Sequence, residues 1–260
     1  MEKPNKSGHA PINGIQMYYE IYGEGETPLV LLHGGGSTIQ TSFGVLIPLL
    51  KDYGKLIAVE LQAHGRTSDR NAPETFEQDA DDVAALLKYL GIEKANIFGF
   101  SNGGTTTMQI AIRHPELVNK IINLAGASKR SGFIDGFFEG FKGATITNMP
   151  APYHKAFLEL TPDQNLLQNM FEKDMQRMVV FKDIPYETIR SIKSEALIMV
   201  NDKDVMTVEH TTELSRLIPN AHLAVFPGFH GQCIGEVYIA KPGSKAPEAT
   251  AQIILEFLQN

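Results

Sequence analysis

The chain has 260 residues, a net charge of −7, one cysteine and no tryptophan. That length suits a single α/β domain that buries about 70–75% of its unfolded surface, with room for a small inserted lobe. The acidic balance supplies no basic stripe on which a phosphate backbone could release counterions, so nucleic acid is excluded as an expected partner and a small molecule is favoured. Cys233 alone cannot close an internal disulfide, and no cysteine and histidine cluster has zinc-site spacing; packing must hold the fold, and neither metal nor cofactor is implied. The opening "MEKPNKSGHAPING" lacks the apolar stretch of a signal peptide, and no run of about 18 apolar residues occurs, so a soluble cytoplasmic protein without membrane contact is expected. No signature of oligomeric state stands out.

In chain order, "INGIQMYYEIYG" places Asn13-Gly14 between extended stretches, a strong hairpin signal. There follow "PLVLLHG" (28–34), "KLIAVEL" (55–61), "ANIFGF" (95–100), "VNKIINLAG" (118–126), "EALIMVN" (195–201) and "AHLAVF" (221–226). Runs apolar at nearly every position suit strands buried on both faces of a parallel sheet. Helical patterns separate most of them, such as Phe76 to Leu90 with Val83, Leu86, Leu87 and Leu90 on one face. This alternation predicts a doubly wound, mostly parallel sheet. Residues 129–192 break it: dense in Phe and Met and without a convincing strand, they read as a helical cap inserted in a core of 1–128 and 193–260. Within the cap, "TPDQ" at 161–164 has a capping-box pattern with Pro162 at the first helical position, predicting a helix to about Val180. Residues 231–246 read as a loop or short hairpin before a final helix, Pro247 to Leu258.

Gly99, Ser101 and Gly103 spell G-x-S-x-G where a buried strand meets an amphipathic helix, the context that this motif requires. A serine strained at such a corner brings the residues two before and two after it together, so both must be nearly without side chains. Gly104 lets the helix lie close to the strand; Met108, Ala111 and Ile112 form its buried face, and Pro115 stops it. The backbone amide of Asn102, at the helix start, points where an oxyanion would form.

A serine hydroxyl needs an adjacent base, and the base needs an orienting group, here in the chain order serine, acid, histidine. Asp202 and Asp204 both follow the strand that ends near Asn201. Asp204 is favoured, because a carboxylate several residues past a strand can turn back to the elbow, whereas Asp202 suits the turn itself. "AHLAVFPGFHGQC" ends a strand at Phe226, turns at Pro227-Gly228 and delivers His230 to the same edge. His9, His114, His154, His210 and His222 read as surface or core residues. "LLHGGGS" (31–37) offers backbone amides, Gly35 with Gly36 behind it, to complete an oxyanion hole with Asn102. No G-K-[ST] follows these glycines and no G-x-G-x-x-G occurs, so phosphate and dinucleotide cradles are disfavoured.

The stretches "YYEIYGEGETPLVLLHGGG", "AVELQAHGRTSD", "NIFGFSNGG", "NDKDVMT" and "PGFHGQ", in that order, make the chain similar to α/β-hydrolase fold enzymes over nearly its whole length. The resemblance implies an eight-stranded sheet with a helical cap after the sixth strand, and a triad of Ser101, Asp204 and His230. It also makes His64 structural. Glu60, Ala63, Thr67 and Asn201 depart from the residues common in the family, and the tail after His230 is long. The implied activity is hydrolysis of a small or medium apolar ester or lactone through an acyl-enzyme. The same triad also serves carbon-carbon bond hydrolases, perhydrolases and hydroxynitrile lyases, and the scaffold can serve as a ligand-binding receptor with little turnover. Ser101 argues against relatives with an aspartate nucleophile. Substrate choice is expected to rest on Phe133, Phe137, Phe138, Phe141, Met149, Tyr153, Phe157, Met170, Met175 and Met178 of the cap.

Overall fold

In the computed structural model, which describes residues 2–260, Asn13 and Gly14 take positive φ, 44° and 87°, as a two-residue hairpin turn requires. They join β1 (Lys6–Ile12) to β2 (Ile15–Tyr22) in antiparallel register, His9 opposite Tyr18. The apolar runs form β3 (Leu29–Leu32), β4 (Leu56–Val59), β5 (Ala95–Phe100), β6 (Val118–Leu124), β7 (Glu195–Lys203) and β8 (Ala221–Phe229). All eight strands make one sheet in the order β1-β2-β4-β3-β5-β6-β7-β8, with every pair from β4 to β8 parallel.

Between the strands run α1 (Ile39–Phe43), α2 (Leu46–Leu49), α3 (Phe76–Tyr89), α4 (Asn102–Arg113), α5 (Ala151–Leu160), α6 (Gln164–Val179), α7 (Tyr186–Arg190) and α8 (Val208–Leu217), with α9 (Ala246–Gln259) closing the chain. The two-residue period of β3 divides its side chains between two cores. Leu29 and Leu31 join Phe43, Phe98 and Ile254 on one side, while Val30 and Leu32 join Val83, Leu86 and Met108 on the other. Each such fully buried side chain contributes about 1.5–3 kcal/mol of transfer free energy, which makes this sheet the rigid base for the loops at its carboxyl edge. No helix among the described residues is long and apolar enough to cross a membrane.

Several expectations shift. β8 is an edge strand, so Leu223 and Val225 stay exposed rather than buried on both faces. Of the loop or short hairpin expected after His230, residues 231–245 form the loop, with a short helical turn at Gln232–Ile234. The front of the inserted segment, 129–150, is likewise built of turns, and regular helix begins only at α5. Asp163 caps α6, its carboxylate accepting the amides of Asn165 and Leu166. Thr161 is not available for that task, since its hydroxyl donates to the Gly65 carbonyl at 2.7 Å. At the other end, Ile184, Ile189 and Ile192 pack with Met108 and Ile198, so α7 rests against the sheet. Ala63 holds φ 61°, a conformation that glycine adopts without strain.

Candidate active site

β5 runs into Ser101, whose φ of 56° and ψ of −118° turn the chain directly into α4. A Cβ on Gly99 would stand 1.9 Å from the Gly103 carbonyl oxygen, and one on Gly103 would stand 2.2 Å from that of Leu32. Only glycine fits either place. The strained residue is held from both sides, its amide donating to Leu124 and its carbonyl accepting from Gly104 and Thr105. The Ser101 hydroxyl makes no hydrogen bond among the described residues.

β7 continues two residues beyond the expected end, so Asp202 sits in the strand, where its Oδ1 accepts the Gly228 amide at 2.7 Å. β8 in turn passes through Pro227-Gly228 without turning, because Gly228 at φ 129° and a register shift opposite Asn201–Lys203 absorb the irregularity. His230 follows at the strand end. Its Nδ1 lies 2.5 Å from Asp204 Oδ1, which also accepts the Met206 amide. Burial pulls the His230 pKa down, but the buried Asp204 carboxylate more than offsets this and the net direction is up. The long tail braces the loop: Gln232 Oε1 accepts the Phe229 amide, the Glu236 amide donates to Gly231, and the Val237 amide donates to Thr41.

Ser101 and His230 line one cavity of about 380 Å³, with no hydrogen bond between them; such contacts are often long until substrate is bound. Gly35 and Asn102 line it too, and neither backbone amide has a partner among the described residues. His33, which sequence reasoning passed over, shapes that loop. Its Nδ1 donates to the Gly34 carbonyl and its Nε2 accepts the Leu61 amide, so the ring is neutral, and burial pushes its pKa down to about 3. Of the apolar cap residues singled out, all but Phe138 and Phe157 face the cavity. Phe138 lies under the Arg130 guanidinium instead, and Phe157 packs with Ala63, Leu167 and Met170.

A second group of charges was not foreseen. Asp174, on α6, reaches into the cavity and accepts from the Gly36 amide at 2.5 Å, His64 Nε2 at 2.9 Å and Asn102 Nδ2 at 3.3 Å, and from Arg177. Arg177, 3% exposed, also meets Asp79 at 2.7 Å and Glu74 at 3.6 Å. Burial lowers the His64 pKa, yet Asp174 overrides it and lifts it to about 9, so His64 is an imidazolium that also donates from Nδ1 to Gln62. Burial raises Glu74 to about 8 and Asp79 to about 6 against the pull of Arg177. Helical spacing held the signal: Asp79 falls between Phe76 and Val83 on the apolar face of α3, and Asp174 between Met170 and Met178 on that of α6. A charge on an apolar stripe needs a partner. Arg177→Met therefore strands these carboxylates and is expected to lower stability by about 3–5 kcal/mol, read as a lower urea midpoint at pH 7.

The family model for the alpha/beta hydrolase fold matches residues 27–188. Human serine hydrolase BPHL is 26% identical over 238 residues, covering 85% of this chain and 78% of its own. A non-heme haloperoxidase from Rhodococcus erythropolis is 25% identical over 256 residues, covering 85% of this chain and 91% of its own. Among solved structures, a meta-cleavage product hydrolase from Pseudomonas fluorescens IP01 superposes with a TM-score of 0.79 at 22% identity, over 98% of both chains, a likeness of fold.

Proposed function

The chain belongs to the alpha/beta hydrolase fold family, and on that premise we propose that it is a serine hydrolase acting on a small or medium apolar ester or lactone. The observation that carries the reading is the convergence on one largely apolar cavity of a strained Ser101, of His230 with Asp204 behind it, and of the Gly35 and Asn102 amides, the hydroxyl and both amides having no hydrogen-bond partner among the described residues. Ser101 Oγ attacks the substrate carbonyl carbon and gives its proton to His230 Nε2. The resulting oxyanion accepts from the Gly35 and Asn102 amides. His230 then returns the proton to the leaving oxygen as the carbon-oxygen bond breaks, leaving Ser101 acylated. Water repeats the sequence, its proton passing through His230 to Ser101 as the acid departs. Asp204 keeps the His230 proton on Nδ1 and balances the imidazolium.

The apolar walls set the substrate class. Phe133, Phe137, Phe141, Met149 and Met175 offer adaptable surface and few donors, which favours an uncharged acyl chain. The test is a panel of short p-nitrophenyl esters, simple lactones and enolised diketones, followed by steady-state rates. Esters and lactones are expected to turn over with kcat in the range of about 1–10³ s⁻¹. Turnover confined to the diketones would replace this reading with carbon-carbon bond hydrolysis, and tight binding without turnover would make the protein a receptor.

A further inference from the structure

The Asp174 carboxylate is out of place for a plain apolar ester site. It stands on α6 of the inserted segment, yet its oxygens reach the loop that follows β3 and the first residue of α4. A Cβ on Gly35 would lie 3.1 Å from Asp174 Oδ2 and 2.5 Å from Asn102 Nδ2. A negative charge so near a forming oxyanion opposes it unless the charge is already spent. Here it is: Oδ2 accepts the Gly36 amide and His64 Nε2, while Oδ1 accepts Asn102 Nδ2 and Arg177. With every lone-pair direction engaged and two cations alongside, the carboxylate has no capacity left for substrate. It acts on the protein instead.

We propose that Asp174 is a positioning residue that ties the seating of α6 to the oxyanion hole, by clamping the Gly36 amide and the Asn102 side chain so that the free amides of Gly35 and Asn102 converge. The inference rests on the hydrolase reading above. Two elements that would otherwise move independently, the glycine loop and the start of α4, are fixed by one side chain from a third. When α6 is displaced the clamp opens, the amides lose their common aim and His64 loses its counterion.

The last point makes the clamp sensitive to pH. The groups facing His64 are Asp174 and Arg177 from α6, Glu74 just before α3 and Asp79 in its first turn, and His33 after β3, whose ring centre lies 4.8 Å away. A raised His64 pKa means that the seated state binds the proton more tightly than the unseated state. The clamp is therefore at full strength below about pH 6.5, the ordinary histidine value, and weakens as pH rises through about 9. Ionisation of Glu74 near 8 adds negative charge and favours retention of the His64 proton, so it does not bring that limb lower.

The experiment compares wild type, Asp174→Asn and His64→Gln on one short ester from pH 6 to 10, with labelling of Ser101 by a fluorophosphonate followed by intact mass. Asp174→Asn is expected to lower kcat by about 10²-fold, in line with loss of one oxyanion donor, with KM changed by less than about threefold, because substrate contacts remain while transition-state contacts are misaligned. His64→Gln keeps a donor to Asp174 but neither the charge nor a titratable proton, so it is expected to fold, to show a kcat lowered at pH 7 toward the level that wild type reaches above pH 9, and to lack the activity loss near pH 9. Unchanged kcat in Asp174→Asn, or a limb near pH 9 that persists in His64→Gln, overturns the inference alone. A wild type that neither turns over nor labels overturns the hydrolase reading and this inference together.

Discussion

Ser101→Ala is expected to lower kcat by on the order of 10⁶-fold, the scale on which loss of a triad nucleophile acts, while substrate still binds. The expectation follows from the isolation of the hydroxyl: it has no hydrogen-bond partner among the described residues, so its removal leaves nothing unsatisfied and opens no cavity in a packed core. Alanine inherits the backbone at φ 56° with the same Cβ, so strain is unchanged and the urea midpoint should shift by no more than about 0.5 kcal/mol equivalent. Separating chemistry from folding is what makes this variant informative. Hydrolysis is measured with the uncatalysed rate subtracted, and intact mass shows whether any acyl or phosphonyl group is still captured. An alanine variant with wild-type turnover would place the nucleophile elsewhere in the cavity and end the proposal built on the elbow.

The elbow was legible because its demands are local. Gly99 must lack a side chain because of Gly103, four residues on, while Gly103, which the motif spacing already marks, is also crowded by the Leu32 carbonyl; the strand before and helix after are read from their own periodicity. The parallel core of the sheet was legible for a related reason: β3 to β7 are apolar on both faces and must be central, although their order across the sheet was not. β8 misleads because its composition resembles theirs, and only its position at the sheet edge leaves Leu223 and Val225 in water. Asp174 and Arg177 pair one turn apart on α6, but the group went unseen because their other partners, Gly36, His64, Glu74 and Asp79, stand far away in sequence. A charge on an apolar stripe announces that a partner exists without saying where. The start of α6 fails similarly, since Thr161 is drawn away by the Gly65 carbonyl, a contact across the fold.

That same division between local and distant information separates the two candidate acids. Asp204→Asn is expected to lower kcat by about 10⁴-fold, because the amide fails to hold the proton on His230 Nδ1 and leaves the imidazolium without its counterion. The change should also appear in the pH profile. Activity needs His230 neutral, so kcat/KM rises as pH passes its pKa; with Asp204 present that pKa is raised, and without it only the smaller pull of Glu236 opposes burial and the rise moves to lower pH. Asp202→Asn is the control. Its carboxylate sits in β7 and accepts only the Gly228 amide, a bond that an asparagine oxygen also accepts, so its kcat should stay within about threefold of wild type, in keeping with the small effects of changes away from strained or buried features. Rates for both variants from pH 5 to 9 decide the matter. If Asp202→Asn proves the damaging change, the contact between Asp204 and His230 is structural, and the orienting acid must reach the imidazole by a loop arrangement other than the one β7 and β8 hold here.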